Sequence, residues 1–162
     1  MTAAHGRPGR AAEELIAENR KARHDFFIEE VYECGLVLTG SEVKSLREHR
    51  VNLRDSHART RNGELLLYNM HIAAYAPAGR FGHAEKRPRK LLMHRREIER
   101  LSGRVRERGY SLVPLRIYFS RGLAKVELAL AKGKRLFDKR EALARKAARR
   151  EIERLAKARQ VR

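Results

Sequence analysis

The strongest constraint on the fold lies between Val113 and Leu130, where two alternating runs meet at Arg121-Gly122. Val113, Leu115, Ile117 and Phe119 alternate with Pro114, Arg116, Tyr118 and Ser120. Beyond the turn, Ala124, Val126, Leu128 and Leu130 alternate with Lys125, Glu127 and Ala129. A period of two puts successive side chains on opposite faces of a strand, so the segment reads as a β-hairpin with one apolar face. A two-residue turn pairs Phe119 with Ala124, Ile117 with Val126 and Leu115 with Leu128, all apolar, as a buried face requires. The other face, expected exposed, pairs Tyr118 with Lys125 and Arg116 with Glu127. RNA-binding barrels use an aromatic ring beside a cation on such a face, and any solvated sheet can carry the same pair.

A second hairpin centres on Asn62-Gly63, the dipeptide favoured by a type I′ turn, which pairs Arg61 with Glu64 and Thr60 with Leu65. Phe26 to Leu38 reads as a strand, with Gly35 marking a bend or bulge. Gly40-Ser41-Glu42 opens a short helix with Ser41 as N-cap, and Val43 and Leu46 share one face. Leu91 to His94 reads as a short strand. His94 to Arg108 reads as a helix with Ile98, Leu101 and Val105 along one side and Gly109 placed to stop it. The expected class is therefore mainly β with peripheral α: a small OB-type antiparallel β-barrel of about six strands, two to three short helices and a basic C-terminal tail. An α+β open sheet is the alternative.

Charge points to the partner. The 162 residues hold 38 Lys and Arg against 20 Asp and Glu, a net of +18, which opposes compaction unless an anionic partner or salt relieves it. Residues 132–162 carry half of that excess, 13 basic against 4 acidic side chains. Their large apolar residues are only Leu136, Phe137, Leu143, Ile152 and Leu155, with the smaller Val161. Ala, Arg, Lys and Glu favour helix, but the apolar stripe is too thin to dock on a core. The division expected is a flexible segment over 1–18, a barrel over 19–131 and a tail over 132–162 that is frayed when free and helical on an anionic surface. The sole cysteine, Cys34, excludes an internal disulfide and any Cys-based zinc cluster, and fits a reducing compartment. No apolar run approaches the roughly 18 residues of a membrane span, and the start lacks a signal-peptide stretch. The expectation is a cytoplasmic, monomeric nucleic-acid binder with no cofactor and no membrane partner.

Catalytic constellations are sparse. No histidine pair shows the i, i+4 metal spacing on a helix, and Gly-x-Ser-x-Gly is absent. Lys132-Gly133-Lys134-Arg135 fails as a phosphate loop, because Arg135 replaces the Ser or Thr and Leu128 the first glycine. Glu29, Glu30 and Glu33 cluster on one strand, either as Mg²⁺ ligands of a nuclease or, the preferred reading, as partners for basic neighbours. Cys34, in an apolar strand, is expected to pack.

Four runs in order carry a family resemblance: Asn19-Arg-Lys-Ala-Arg-His-Asp-Phe, Gly40-Ser-Glu-Val-Lys-Ser-Leu-Arg, Arg89-Lys-Leu-Leu-Met-His and Ala131-Lys-Gly-Lys-Arg-Leu-Phe-Asp-Lys-Arg. From about Asn19 onward the chain resembles the bacterial SsrA-binding protein family (SmpB, small protein B). It departs at Cys34, His57 and Ala74, where alanine, tyrosine and proline are usual, and in the stretch Gly82-His83-Ala84-Glu85. The resemblance implies an OB-type barrel that binds the transfer-RNA-like domain of transfer-messenger RNA and carries it to the A site of stalled ribosomes. It assigns Glu33, Leu92 and Lys125 to RNA binding. Arg20, Lys21, His24 and Lys90, from the matched motifs, and Tyr118, from the hairpin, join them as candidates. It assigns Gly133, Lys134, Arg135, Phe137, Asp138, Lys139 and Arg140 to the decoding centre, with the tail helical in the messenger channel. A ribosomal or ribosome-assembly protein bound only to ribosomal RNA is the alternative.

Overall fold

Both turn signatures form hairpins. In the computed structural model, which describes residues 12–107 and 109–160, Asn62 and Gly63 take φ of 51° and 75°, and Arg121 and Gly122 take 52° and 74°. Two successive positive φ angles define the type I′ geometry, whose twist matches that of the flanking strands. The expected partners Thr60–Leu65 and Arg61–Glu64 face one another, as do Phe119–Ala124, Ile117–Val126, Tyr118–Lys125 and Arg116–Glu127. The disorder expected of the first ten residues falls outside the described residues.

The described strands are β1 (Glu13–Glu18), β2 (Phe26–Leu36), β3 (Val51–Asn52), β4 (His57–Arg61), β5 (Glu64–Tyr68), β6 (His71–Ile72), β7 (Arg89–Leu92), β8 (Tyr110–Ser120) and β9 (Leu123–Gly133). The helices are α1 (Arg20–Asp25), α2 (Gly40–Arg47), α3 (Arg95–Arg106) and α4 (Leu136–Gln160), with a 3-10 turn over Ala76–Phe81. Six strands pair antiparallel in the ring β4–β5–β7–β2–β9–β8, and β8 returns to β4 through Leu112 and Ala58. The ring matches the six strands expected. β1 and the two-residue pair β3–β6 raise the total above that expectation, and α4 does the same for the helices. Inside lie Cys34, Leu65, Leu67, Leu91, Leu112, Ile117, Val126, Leu128 and Leu130, and Ile98 and Leu101 of α3 are buried with them. Burying each Leu or Ile contributes roughly 1.5–3 kcal/mol.

Several expectations shift by a residue or a face. Segment 1–18 contributes a strand, because β1 pairs along β8 and buries Ile16. Leu115 does not face Leu128. Pro114 does, and the register slips between Pro114 and Arg116. Proline cannot donate to the ladder, so a bulge there loses no hydrogen bond from its nitrogen. The slip leaves both faces of β8 covered: Val113 and Leu115 join Ala22 and Ala129 in a second small cluster beneath α1. Asn19 fastens this arrangement. It caps α1 by accepting from the Ala22 N–H at 3.2 Å, donates its side-chain amide to the Pro114 carbonyl at 3.1 Å, and gives its backbone N–H to Leu115 at 2.7 Å.

The N-cap of α2 is Thr39 rather than Ser41, since Glu42, three residues on, accepts the Thr39 backbone N–H at 2.9 Å. The strand expected over Leu91–His94 runs Arg89–Leu92, and His94 serves as N-cap of α3. Gly109 follows that helix with φ of 91°. The bulge in β2 lies between Ile28 and Glu30, not at Gly35. Gly35 instead permits close strand approach, because a Cβ there would sit 3.2 Å from the Leu92 Cβ.

Glu42 and Arg89, both fully buried, form an ion pair at 2.7 Å. Burial opposes the Glu42 charge, but hydrogen bonds from Arg87, Thr39 and Arg89 outweigh it and hold the carboxyl below its ordinary range.

Candidate nucleic-acid interface

Two groups of expected site residues emerge, on different elements. The first lies across the outer sheet face. Strand β2 supplies Glu33, β7 supplies Lys90 and Leu92, β8 supplies Tyr118 and β9 supplies Lys125. The register sets Gly35 beside both Leu92 and Lys125, and Lys125 beside Tyr118, so these strands bring Glu33, Leu92, Tyr118 and Lys125 together. Leu92 is 52% exposed, an apolar side chain turned out from the barrel. Lys90, two residues earlier on the same face of β7, pairs with Glu64 at 2.6 Å.

Tyr118 is buried, at 2% exposure, against the expectation of an exposed ring. Its outer face is closed by Arg116, whose guanidinium lies 4.6 Å from the ring centroid, and by β1, where Leu15 pairs with Tyr118. Arg116 is held in place by Glu127 and by Glu13 at 3.2 Å. Burial, then the hydrogen bond to Glu33, pushes the Tyr118 phenol well above its ordinary range, so it stays a donor. Tyr118 is therefore a positioning group. It donates to one oxygen of Glu33, whose other oxygen lies 3.9 Å from the half-buried Lys125 ammonium. A fixed carboxylate beside a cation and an exposed leucine offers an acceptor for a ribose hydroxyl or base amino group, a phosphate contact and an apolar contact.

The second group gathers at α1 and the start of α4. Asp25 is its hub: His24 Nδ1 lies 2.9 Å away, Lys139 Nζ 3.3 Å and Lys21 Nζ 4.0 Å. The His24 hydrogen bond, with help from Lys139 and Lys21 and against burial, holds the Asp25 carboxyl below its ordinary range. Gly133 pairs with Phe26 at the end of β9, and the Lys134 N–H donates to the Asp25 carbonyl at 2.9 Å. The Lys134 ammonium sits 5.0 Å from the Phe27 ring centroid. Asp138 accepts the Arg135 N–H at 3.3 Å, capping the first turn of α4. Arg20 and Arg140 are exposed, and the Phe137 side chain lies outside what is described. Lys21 and His24 thus stand with the base of the tail rather than with the sheet face, while Arg20, on the same helix, pairs with Glu18 at 3.6 Å. Beyond its first turn α4 exposes Leu143, Ile152 and Leu155, and its carboxylates Glu141, Glu151 and Glu153 pair within the helix, as Glu153 with Arg149 at 3.0 Å.

The other two carboxylates of the acidic trio are tied to basic neighbours. Glu29 binds Arg104 and the Tyr110 hydroxyl, each at 2.9 Å, and Glu30 binds Arg100 at 3.2 Å. Among the described residues no three His, Cys, Asp or Glu are grouped to hold a metal ion. Cys34 packs in the core, where burial raises its thiol to about 12. Among the described residues no helix is long and apolar enough to cross a membrane. Sequence reasoning missed Asp25 as a hub, Asn19 as a clasp, and Arg116. The alternation of β8 did place Arg116 beside Glu127, but nothing local announced the ring it covers.

A closed, basic β-barrel with a polar sheet face and a cationic helical extension defines the class: a nucleic-acid-binding barrel. The SmpB protein family model matches residues 16–158, and the chain belongs to that family. It is 60% identical over 147 residues to an SsrA-binding protein of Moorella thermoacetica, covering 90% of this chain and 95% of that one. It is 61% identical to the SsrA-binding protein of Carboxydothermus hydrogenoformans, covering 91% of this chain and 99% of that one. A chain in a solved structure described as "tmRNA-SmpB: a journey to the center of the bacterial ribosome" superposes with a TM-score of 0.64 at 50% identity, covering 78% of this chain and 93% of that one.

Proposed function

We propose that this chain is a cytoplasmic RNA-binding adaptor of trans-translation, rather than an enzyme. It binds the transfer-RNA-like domain of transfer-messenger RNA and delivers it to the A site of stalled ribosomes, where the nascent chain is tagged and the ribosome freed. The names of the relatives and the structural neighbour's association with tmRNA and the bacterial ribosome support this reading. The observation that carries it is the convergence of Glu33, Leu92 and Lys125 from three strands, with Tyr118 of a fourth fixing the carboxylate. In this reading the sheet face holds the RNA. The second group, from Arg20, Lys21 and His24 through Gly133, Lys134, Arg135, Phe137, Asp138, Lys139 and Arg140, works in the decoding centre. The tail helix, with little apolar surface to bury, is firm only against ribosomal RNA. The engagement of Glu29, Glu30 and Glu33 by Arg104, Arg100 and Lys125 supports binding over cleavage.

Competition binding tests it. The chain should prefer the transfer-RNA-like domain over fragments of ribosomal RNA, and each phosphate neutralised should add about 0.7–0.9 to the log–log salt slope. With a net charge of +18, affinity should fall by orders of magnitude between low and moderate salt. Equal affinity for ribosomal RNA fragments favours a ribosome-assembly role, and a flat salt response removes the electrostatic basis of either.

A further inference from the structure

Residues 73–88 join β6 to β7 as a long connection that contains the 3-10 turn Ala76–Phe81. Connections of this length are usually mobile or functional, and this one is nailed down. The buried Arg89 guanidinium donates to the Met70, Arg87, Ala84 and Glu85 carbonyls at 2.7–3.3 Å while pairing with Glu42. Arg87 reaches the same carboxylate at 2.6 Å. His83 bridges Ser41 of α2 at 2.9 Å and the Ile72 carbonyl at 3.0 Å. His71 holds Glu85 at 2.9 Å.

What this framework presents is a phenylalanine. Phe81 is 80% exposed, the most exposed large apolar side chain described. It forms one wall of a groove whose other walls are Tyr75, Pro77, Thr39, Ser41 and Lys44. Cations flank both rings: the Lys44 ammonium lies 5.2 Å from the Tyr75 centroid and the Arg80 guanidinium 5.1 Å from that of Phe81. Several other exposed cations on the barrel are neutralised, as Lys90 by Glu64, Arg100 by Glu30 and Arg104 by Glu29. Among the described residues no carboxylate pairs with Lys44 or Arg80.

We propose that this groove between α2 and the 3-10 turn is a second RNA contact, which takes an unpaired nucleotide by stacking its base on Phe81 and its flanking phosphates on Lys44 and Arg80. The inference rests on the reading of the chain as an RNA binder, and it adds a site on elements that supply none of the sheet-face residues. Charge complementarity selects the occupant, since two unneutralised cations on a chain of +18 favour a polyanion. The aromatic wall selects unpaired over paired nucleic acid, because only a base freed from its duplex offers a face to stack. The buried clamp completes the site by ordering the loop before binding, so little conformational entropy remains to be lost.

The test uses the full chain with three probes: the transfer-RNA-like domain, an oligouridylate and a fully paired RNA duplex of equal length. Phe81→Leu keeps the apolar bulk and the charge but removes the ring. It should weaken binding to the domain and to the oligouridylate by about tenfold, as expected for losing one stacked base. Its salt slope and its affinity for the duplex should stay at wild-type values. The double variant Lys44→Gln, Arg80→Gln should lower the salt slope by about 1–2. Wild-type affinity of Phe81→Leu for the two unpaired probes, or an equal loss on the duplex, overturns the groove even if the charge variant binds weakly. If the wild-type chain does not prefer the domain over the duplex, the proposed function falls, while the oligouridylate comparison still decides the groove.

Discussion

Lys125 shows how a single residue divides between fold and function. The alternation around Arg121-Gly122 put it beside Tyr118, and that pairing is present. Alternation says which face a side chain takes but not what covers that face. Tyr118 is buried because β1, expected to be flexible, runs along β8, and because Arg116 lies over the ring. Lys125 is left half-buried, 3.9 Å from a largely exposed Glu33. Ion pairs of that kind contribute about 0–1 kcal/mol, so Lys125→Ala should change thermal stability little. Its affinity for the transfer-RNA-like domain should drop, and its salt slope should fall by about 0.7–0.9, the share of one phosphate. Isothermal titration at several salt concentrations with parallel melting curves measures both. Unchanged affinity at equal melting temperature would mean that Lys125 serves only Glu33.

At the scale of elements, turn chemistry was the most legible layer and termini the least. Asn62-Gly63 and Arg121-Gly122 set both hairpins, since residues with positive φ admit few alternatives. The bulge at Pro114–Arg116 was not legible, although Pro114 was there to read, because it depends on Asn19 reaching the freed carbonyl from another element. The end of β9 likewise reaches Gly133, and the Lys134 N–H still bonds to α1. The barrel therefore ends later than the composition break at residue 132. A chain ending after Lys134 should melt close to the full-length temperature and still bind the transfer-RNA-like domain, weakened by the lost charge. It should fail to support tagging of stalled nascent chains in a reconstituted translation assay. Loss of RNA binding on this truncation would place the specific contacts in α4, and normal tagging would reduce α4 to a cationic appendage.

The whole molecule is closed by contacts that no short window contains. Glu42 was read only as a first-turn residue of α2, yet it is the counter-charge of the buried Arg89 and of Arg87. Removing one partner of a buried pair leaves the other charge stranded, so Glu42→Gln should cost about 3–5 kcal/mol near neutral pH. The folded carboxyl titrates below the ordinary glutamate value, so its stabilisation is full above that value and fades as pH falls through the lower, folded one. The gap between wild type and variant should therefore narrow below about pH 4. Thermal denaturation across pH 3–7 measures it, and curves that stay parallel to pH 3 would rule out the ion pair as the source of stability.

The sequence by itself determined the local layers: two hairpins with the pairing next to their turns, the helices α2 and α3, and a cationic tail with half the net charge. These follow from φ preferences, from a side-chain period of two and from charge counting, all of which act within a few residues. It also carried the four motifs that mark the family. Only the tertiary structure decided that β8 returns to β4 to close the ring, that Glu33, Leu92, Tyr118 and Lys125 meet, and that Lys21 and His24 stand instead around Asp25 with Lys139 of the tail. The reason is that strand order, bulges and burial are set by segments distant in sequence competing for one core. A one-residue slip such as that at Pro114 redirects a side chain from one face to the other without altering any local preference.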